Sequence, residues 1–193
     1  MRSTTKSVAV TSCLALALVL SGVAAGATQN ASPEKWVSTF CGSVVTWETG
    51  VKTRTTKLNK TVANLKKTGR TSLPTIRRQL VGFLADIVTS TRAVGAKMKA
   101  VGAPDVKDGD KIQAGVLSAF SQLTKAFDDA RKTALKLPLT NRQAFTKKAI
   151  ALGTTIQAST NRIGAAFQAL NRYSTPELND AAKKDATCLK LGG

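Results

Sequence analysis

Four long segments of the chain carry apolar residues at the spacing of an amphipathic helix. In the first, the gaps between apolar positions are four, three, four, seven, four and three residues, and Thr55 occupies the long gap. Such a repeat of about 3.5 residues is typical of a helix packed in a bundle. The first segment carries Phe40, Val44, Trp47, Val51, Leu58, Val62 and Leu65.

The other three segments repeat this pattern, and no run alternates with period two, so we expect helices and no strand. The second carries Ile76, Leu80, Phe83, Ile87, Val94, Met98 and Val101. The third carries Ile112, Val116, Phe120, Leu123, Phe127 and Ala130. The fourth carries Phe145, Ala149, Leu152, Ile156, Ile163, Leu170 and Tyr173.

Capping signals predict where the helices begin. Ser32 followed by Pro33 is typical of a helix start, and Ser72 before Leu-Pro predicts the second start. The third helix is expected to begin after Asp108. Thr140 with Gln143 predicts a capping box for the fourth helix.

Glycine and proline predict where the helices end. The first helix should end through Gly69, the second at Gly102 and Pro104, and the third before Pro138. The run "STPEL" opens a short fifth helix that ends near Cys188. Four helices of about 27–34 residues joined by short loops favour an all-α, up-down-up-down four-helix bundle with a short C-terminal helix.

The first 27 residues are predicted to be a cleavable secretory signal. Arg2 and Lys6 precede an uncharged apolar stretch that ends in Ala-Gly-Ala at Ala27. Cleavage there leaves a single domain of residues 28–193, with no transmembrane helix. Two alternatives stay open: an uncleaved anchor of residues 8–27, and lipidation of Cys13, although "VTSC" precedes the hydrophobic run where a lipidated cysteine should follow it.

Removal of the signal leaves two cysteines, Cys41 and Cys188. An even number in an exported chain predicts a disulfide, against the alternative of two free buried thiols. The bridge also restricts the topology, because only an even number of full-length helices returns the tail to the start of the first helix. Three or five such helices would separate the cysteines by roughly 40 Å at about 1.5 Å per residue.

The layout resembles the small secreted helical proteins of actinobacteria. The motifs that carry the resemblance are the signal segment, "FCGSVVTW" at residues 40–47 and "GAPDVKDGDKI" at residues 102–112. The resemblance spans most of the predicted mature chain and implies export and a helical fold. It implies no active site.

The chain has a formal net charge of +18, and removal of Arg2 and Lys6 with the signal lowers it to +16. No acid occurs between Thr49 and Ala85, or between Ala130 and Pro176. These stretches surround two connections that the bundle places at one pole, so we expect a molecule with one basic pole. The hypothesis is that this pole binds polyanions. The alternative is that its lysines and arginines are only a solvated face. The candidates are Lys52, Arg54, Lys57, Lys60, Lys66, Lys67, Arg70, Arg77, Arg78, Lys132, Lys136 and Arg142.

Anionic cell-wall polymers or lipid headgroups are the expected partners of such a pole. Sequence-specific nucleic acid is not expected, because few aromatic residues accompany the basic ones. A second hypothesis is a carrier or sensor that holds a small apolar ligand between helices, suggested by the helix glycines. The alternative is that these glycines reflect close helix approach or simple tolerance. They are Gly82, Gly95, Gly115, Gly153 and Gly164. A protein partner is a third possibility.

No catalytic, cofactor or metal site is predicted. Histidine, the commonest general base, is absent. Asp105, Asp108 and Asp110 resemble a calcium loop, but Val116 stands where the loop needs a glutamate. Helix capping is the expected role of these aspartates. We therefore expect a non-enzymatic protein without a cofactor, exported to the cell envelope or the extracellular space.

Overall fold

The computed structural model describes residues 30–68, 72–168, 172–173 and 175–191. The predicted signal, Gly69 and Arg70 lie outside these residues, as does Leu170. The structure also leaves the side chains of Lys66 and Ile163 undescribed.

The described chain is all-helical, as predicted. The helices are α1 (Pro33–Lys67), α2 (Leu73–Val101), α3 (Gly109–Leu135), α4 (Arg142–Gln168) and α5 (Pro176–Lys184), followed by a 3-10 helix (Cys188–Lys190). The described residues contain no strand, and their one bridge joins Ala31 to Pro104. None of these helices has an apolar stretch of the length needed to cross a membrane.

The helices pack in chain order as a bundle. α2 and α3 form the centre, α1 lies on α2, α4 lies on α3, and α5 packs on α1. The core face of α3 was predicted correctly, since all six of its predicted positions are buried. In α1 the predicted positions are half-buried, and the buried apolar residues of that helix are Trp36, Val37 and Cys41 at its start.

The predicted starts of α1, α2, α3 and α5 are confirmed, and that of α4 is wrong. α3 begins at Gly109, directly after Asp108, and α5 begins at Pro176 within "STPEL". Ser32 Oγ accepts a hydrogen bond from the N–H of Lys35, and Ser72 Oγ accepts one from the N–H of Thr75. The predicted capping box at Thr140 is wrong, because α4 begins at Arg142. Its cap is Asn141, whose Oδ1 accepts from the N–H of Ala144 at 2.9 Å.

The predicted disulfide joins Cys41 to Cys188. Their Cα atoms are 5.0 Å apart and the residues are separated by 147 positions along the chain. The segment before α1 is fixed at the same end of the bundle, since Ala31 exchanges 2.8 Å backbone hydrogen bonds with Ala103 and Asp105. This end therefore holds the start of α1, the α2–α3 connection and the C-terminal tail.

Candidate functional site

The start of α2 and the α3–α4 connection meet at the other end of the bundle, which we call the basic pole. Arg77, near the start of α2, donates hydrogen bonds to the carbonyl oxygens of Leu135 and Leu137, at 3.1 and 3.5 Å. Because these carbonyls belong to the end of α3 and the α3–α4 connection, the start of α2 lies beside that connection. Arg77 is half-buried, and its hydrogen bonds join α2 to the end of α3 and the α3–α4 connection.

Three of the candidate lysines form an exposed row on α1. Lys52, Lys57 and Lys60 line a shallow surface depression of about 490 Å³ together with threonines and Asn64. None of the three forms an ion pair with a residue that the structure describes. We call Lys52, Lys57 and Lys60 the basic stripe; no described acid lies within ion-pair distance of these lysines.

The other candidates on α1 and α2 are placed differently. Arg54 is half-buried, and its guanidinium group lies over Gly50. Lys67 and Arg78 are exposed. The side chains of Lys66 and Arg70 lie outside the part of the chain that the structure describes.

Around the α3–α4 connection the positive charge is partly neutralised. Lys132 Nζ lies 2.8 Å from Asp128 Oδ2 and 4.0 Å from Asp129 Oδ1. Hydrogen bonds from Lys132 and then from Arg131 hold the pKa of Asp128 below its ordinary value of 3.8. These acids lie just outside the acid-free stretch of sequence but close to its bases in space, so Lys132 adds little free positive charge.

Lys136 and Arg142 are exposed on either side of the same connection. The structure adds Lys148, which lines a groove with Lys136. Lys148 lies in the acid-free stretch of sequence, but the charge pattern alone does not pair it with Lys136. That pairing depends on the register between α3 and α4.

The opposite pole carries both signs of charge. Asp108 occupies the N-cap position of α3, yet its side chain makes no capping hydrogen bond. Its carboxylate instead accepts from Lys111 Nζ at 2.7 Å, and this bond lowers the pKa of Asp108. The predicted capping role of Asp108 is therefore wrong. Among the described residues, no three potential ligands form a group able to hold a metal ion.

The helix glycines do not share one role. A Cβ atom at Gly82, Gly153 or Gly164 would meet no other atom within 4 Å, so close helix approach does not explain them. At Gly95 a Cβ would make an ordinary 3.7 Å contact with Phe120. Of these glycines, Gly95 lines a groove between α2 and α3, and none lines the groove between α3 and α4.

Comparison with protein-family models, with curated proteins and with solved structures gives no match.

Proposed function

We propose that this is an exported, non-enzymatic protein of the cell envelope or extracellular space, whose basic pole binds anionic surface polymers or lipid headgroups. The basic stripe carries the proposal, because its three exposed lysines have no ion pair within the described chain. The sequence around the stripe contains no acid from Thr49 to Ala85. A repeating anion can therefore contact several lysines without displacing an intramolecular partner.

Export is supported by the disulfide and by the predicted signal. A bridge between Cys41 and Cys188 persists in an oxidising compartment and is rare in the cytosol. The apolar N-terminal segment with Arg2 and Lys6 fits a secretory signal.

The test is retention of residues 28–193 on isolated cell envelope across a salt series. We expect binding at low salt and release as salt rises, since such binding depends on screened charges and released counterions. A stripe variant with Lys52→Gln, Lys57→Gln and Lys60→Gln should elute at lower salt than wild type.

A variant of equal net charge provides the matched control. Lys107→Gln, Lys184→Gln and Lys190→Gln remove three exposed lysines at the opposite pole. We expect this variant to elute close to wild type. If both variants shift alike, net charge rather than the stripe controls binding, and if neither shifts, the stripe has no part in envelope binding.

A further inference from the structure

A groove of about 460 Å³ runs between α3 and α4. Its floor includes Ala130, Leu137 and Leu152, which are 4%, 2% and 5% exposed and belong to the core. The volume lies within the range of about 300–1,000 Å³ that is usual for small-molecule sites. The groove thus has apolar side chains at its floor and lies beside the basic pole.

The rim of the groove is basic at one end. Lys136 directly follows α3 and Lys148 lies in the second turn of α4, so both line the half nearest the α3–α4 connection. Both side chains are exposed, and neither forms an ion pair within the described residues. An anionic group at this end would meet two cations that have no described acidic partner.

The far half of the groove is lined by no cation. Ala126 lies ten residues before Lys136 on α3, which corresponds to roughly 15 Å of helix. Ser159 lines this end from α4. Asp129, the one acid among the lining residues, pairs with Lys125 and lies 4.0 Å from Lys132, so its charge is offset by cations of its own helix.

The hydroxyl groups along the walls are already engaged. Thr133 Oγ1 donates to the carbonyl oxygen of Asp129 at 2.9 Å, and Thr155 Oγ1 donates to that of Ala151 at 3.0 Å. These two hydroxyls therefore act only as acceptors toward a ligand.

We propose that the α3–α4 groove binds a single-chain anionic amphiphile, with a carboxylate or phosphate head between Lys136 and Lys148 and its alkyl chain along Ala130 and Leu152. The proposal rests on the proposed function in placing the protein where such molecules occur, but it uses residues outside the basic stripe. Charge complementarity fixes the direction of the ligand, since the head lies at the end with two free lysines and the chain lies on the apolar floor.

The experiment is calorimetric titration of the folded protein with dodecyl phosphate below its micellar concentration, and with dodecanoate. Inorganic phosphate supplies the charge without the chain, and dodecyl maltoside supplies the chain without the charge. We expect saturable 1:1 binding of one or both anionic amphiphiles and much weaker binding of the other two probes. Binding of dodecanoate alone indicates a fatty-acid ligand, and binding of dodecyl phosphate alone indicates a phosphate-bearing lipid.

Adjacent residues on α4 give matched variants. Lys136→Gln with Lys148→Gln should weaken binding roughly tenfold, since each exposed ion pair changes affinity by about threefold. Lys147→Gln should not weaken it, because Lys147 does not line the groove. Ala151→Phe should fill the groove and weaken binding, whereas Thr154→Phe on the exposed face should leave it unchanged.

All these positions are exposed, and helical circular dichroism checks that each variant folds. The proposal is overturned if neither anionic amphiphile binds saturably, or if the groove variants bind like their controls. The basic-stripe variant should bind the amphiphile like wild type. If the protein binds the amphiphile but is not retained on the envelope, the proposed function fails and the groove proposal stands. If it is retained on the envelope but does not bind the amphiphile, the groove proposal fails.

Discussion

Two tryptophan indoles tie α1 to the centre of the bundle through hydrogen bonds of the same length. Trp36 Nε1 donates to Gln113 Oε1 on α3, and Trp47 Nε1 donates to Thr91 Oγ1 on α2, each at 2.9 Å. Each acceptor side chain also donates a hydrogen bond to a backbone carbonyl oxygen. Gln113 Nε2 also donates to the carbonyl of Met98, and Thr91 Oγ1 also donates to the carbonyl of Ile87.

We expect Trp36→Phe to destabilise the protein more than Trp47→Phe. Trp36 and Gln113 are 6% and 8% exposed, so the substitution leaves a buried amide oxygen without its donor, at a cost of about 1–3 kcal/mol. Trp47 is only half-buried, and Thr91 keeps its bond to Ile87. The measurement is urea unfolding of both variants. Equal losses would show that the lost indole volume, which is common to both, explains the effect.

Asp185 holds the tail that carries Cys188. Its carboxylate accepts from the N–H groups of Thr187 and Cys188, at 2.8 and 3.0 Å. The bond from Cys188, followed by those from Thr187 and the Ser38 side chain, lowers the pKa of Asp185 below its ordinary value of 3.8. Ionised Asp185 therefore stabilises the folded state.

The pH dependence of stability follows from this lowered pKa. The contribution of Asp185 is complete above its ordinary pKa of 3.8 and is lost as pH falls through the lower folded-state value. We expect Asp185→Ala to lower the free energy of unfolding at neutral pH, with a difference from wild type that shrinks below about pH 4. Unfolding curves across pH test this, with Asp180→Ala on α5 as the control. A difference that does not change with pH would contradict it.

At the level of the helices, the apolar spacing predicted their number and order because it reflects which face each helix buries. It did not resolve every boundary. Thr140 and Asn141 are adjacent and both suit an N-cap, so a one-residue shift decides which side chain reaches a free N–H. The role of Asp108 was missed for a similar reason, because Lys111 one turn later attracts its carboxylate more directly.

The α4 cap can be tested by a pair of substitutions. Asn141→Ala should lower the free energy of unfolding by about 1 kcal/mol, since the N–H of Ala144 loses its acceptor. Thr140→Ala at the neighbouring exposed position should have a much smaller effect. Thermal unfolding followed by circular dichroism measures both. The assignment of the cap is wrong if Thr140→Ala proves the more damaging change.

Over the whole molecule, the disulfide and the helix count support one topology. The sequence predicted both, because two cysteines and four amphipathic segments leave few ways to return the tail to Cys41. The candidate site was less predictable. Charge counting located the acid-free stretches but overlooked Asp128, which lies one helical turn before Lys132 and pairs with it. Only the packing shows that Lys136 shares a groove with Lys148.

The bridge should contribute strongly to stability. In the chain-entropy view, closing a loop of this length stabilises the folded state by about 4–5 kcal/mol. We expect Cys41→Ser with Cys188→Ser to lower the free energy of unfolding by this order while the helical signal is kept. Urea unfolding measures the difference, and a reductant should affect wild type but not the variant. Identical unfolding midpoints for wild type with and without reductant would contradict the expectation.

The position of the bridge also determines what happens when the backbone is cut. The α2–α3 and α3–α4 connections both lie between Cys41 and Cys188, so they fall inside one covalent ring. A protease that cleaves between Lys136 and Arg142 therefore produces two fragments that stay joined as one molecule. Such a nicked protein migrates as a single chain until its disulfide is reduced, and its two halves can refold together without having to find each other in solution.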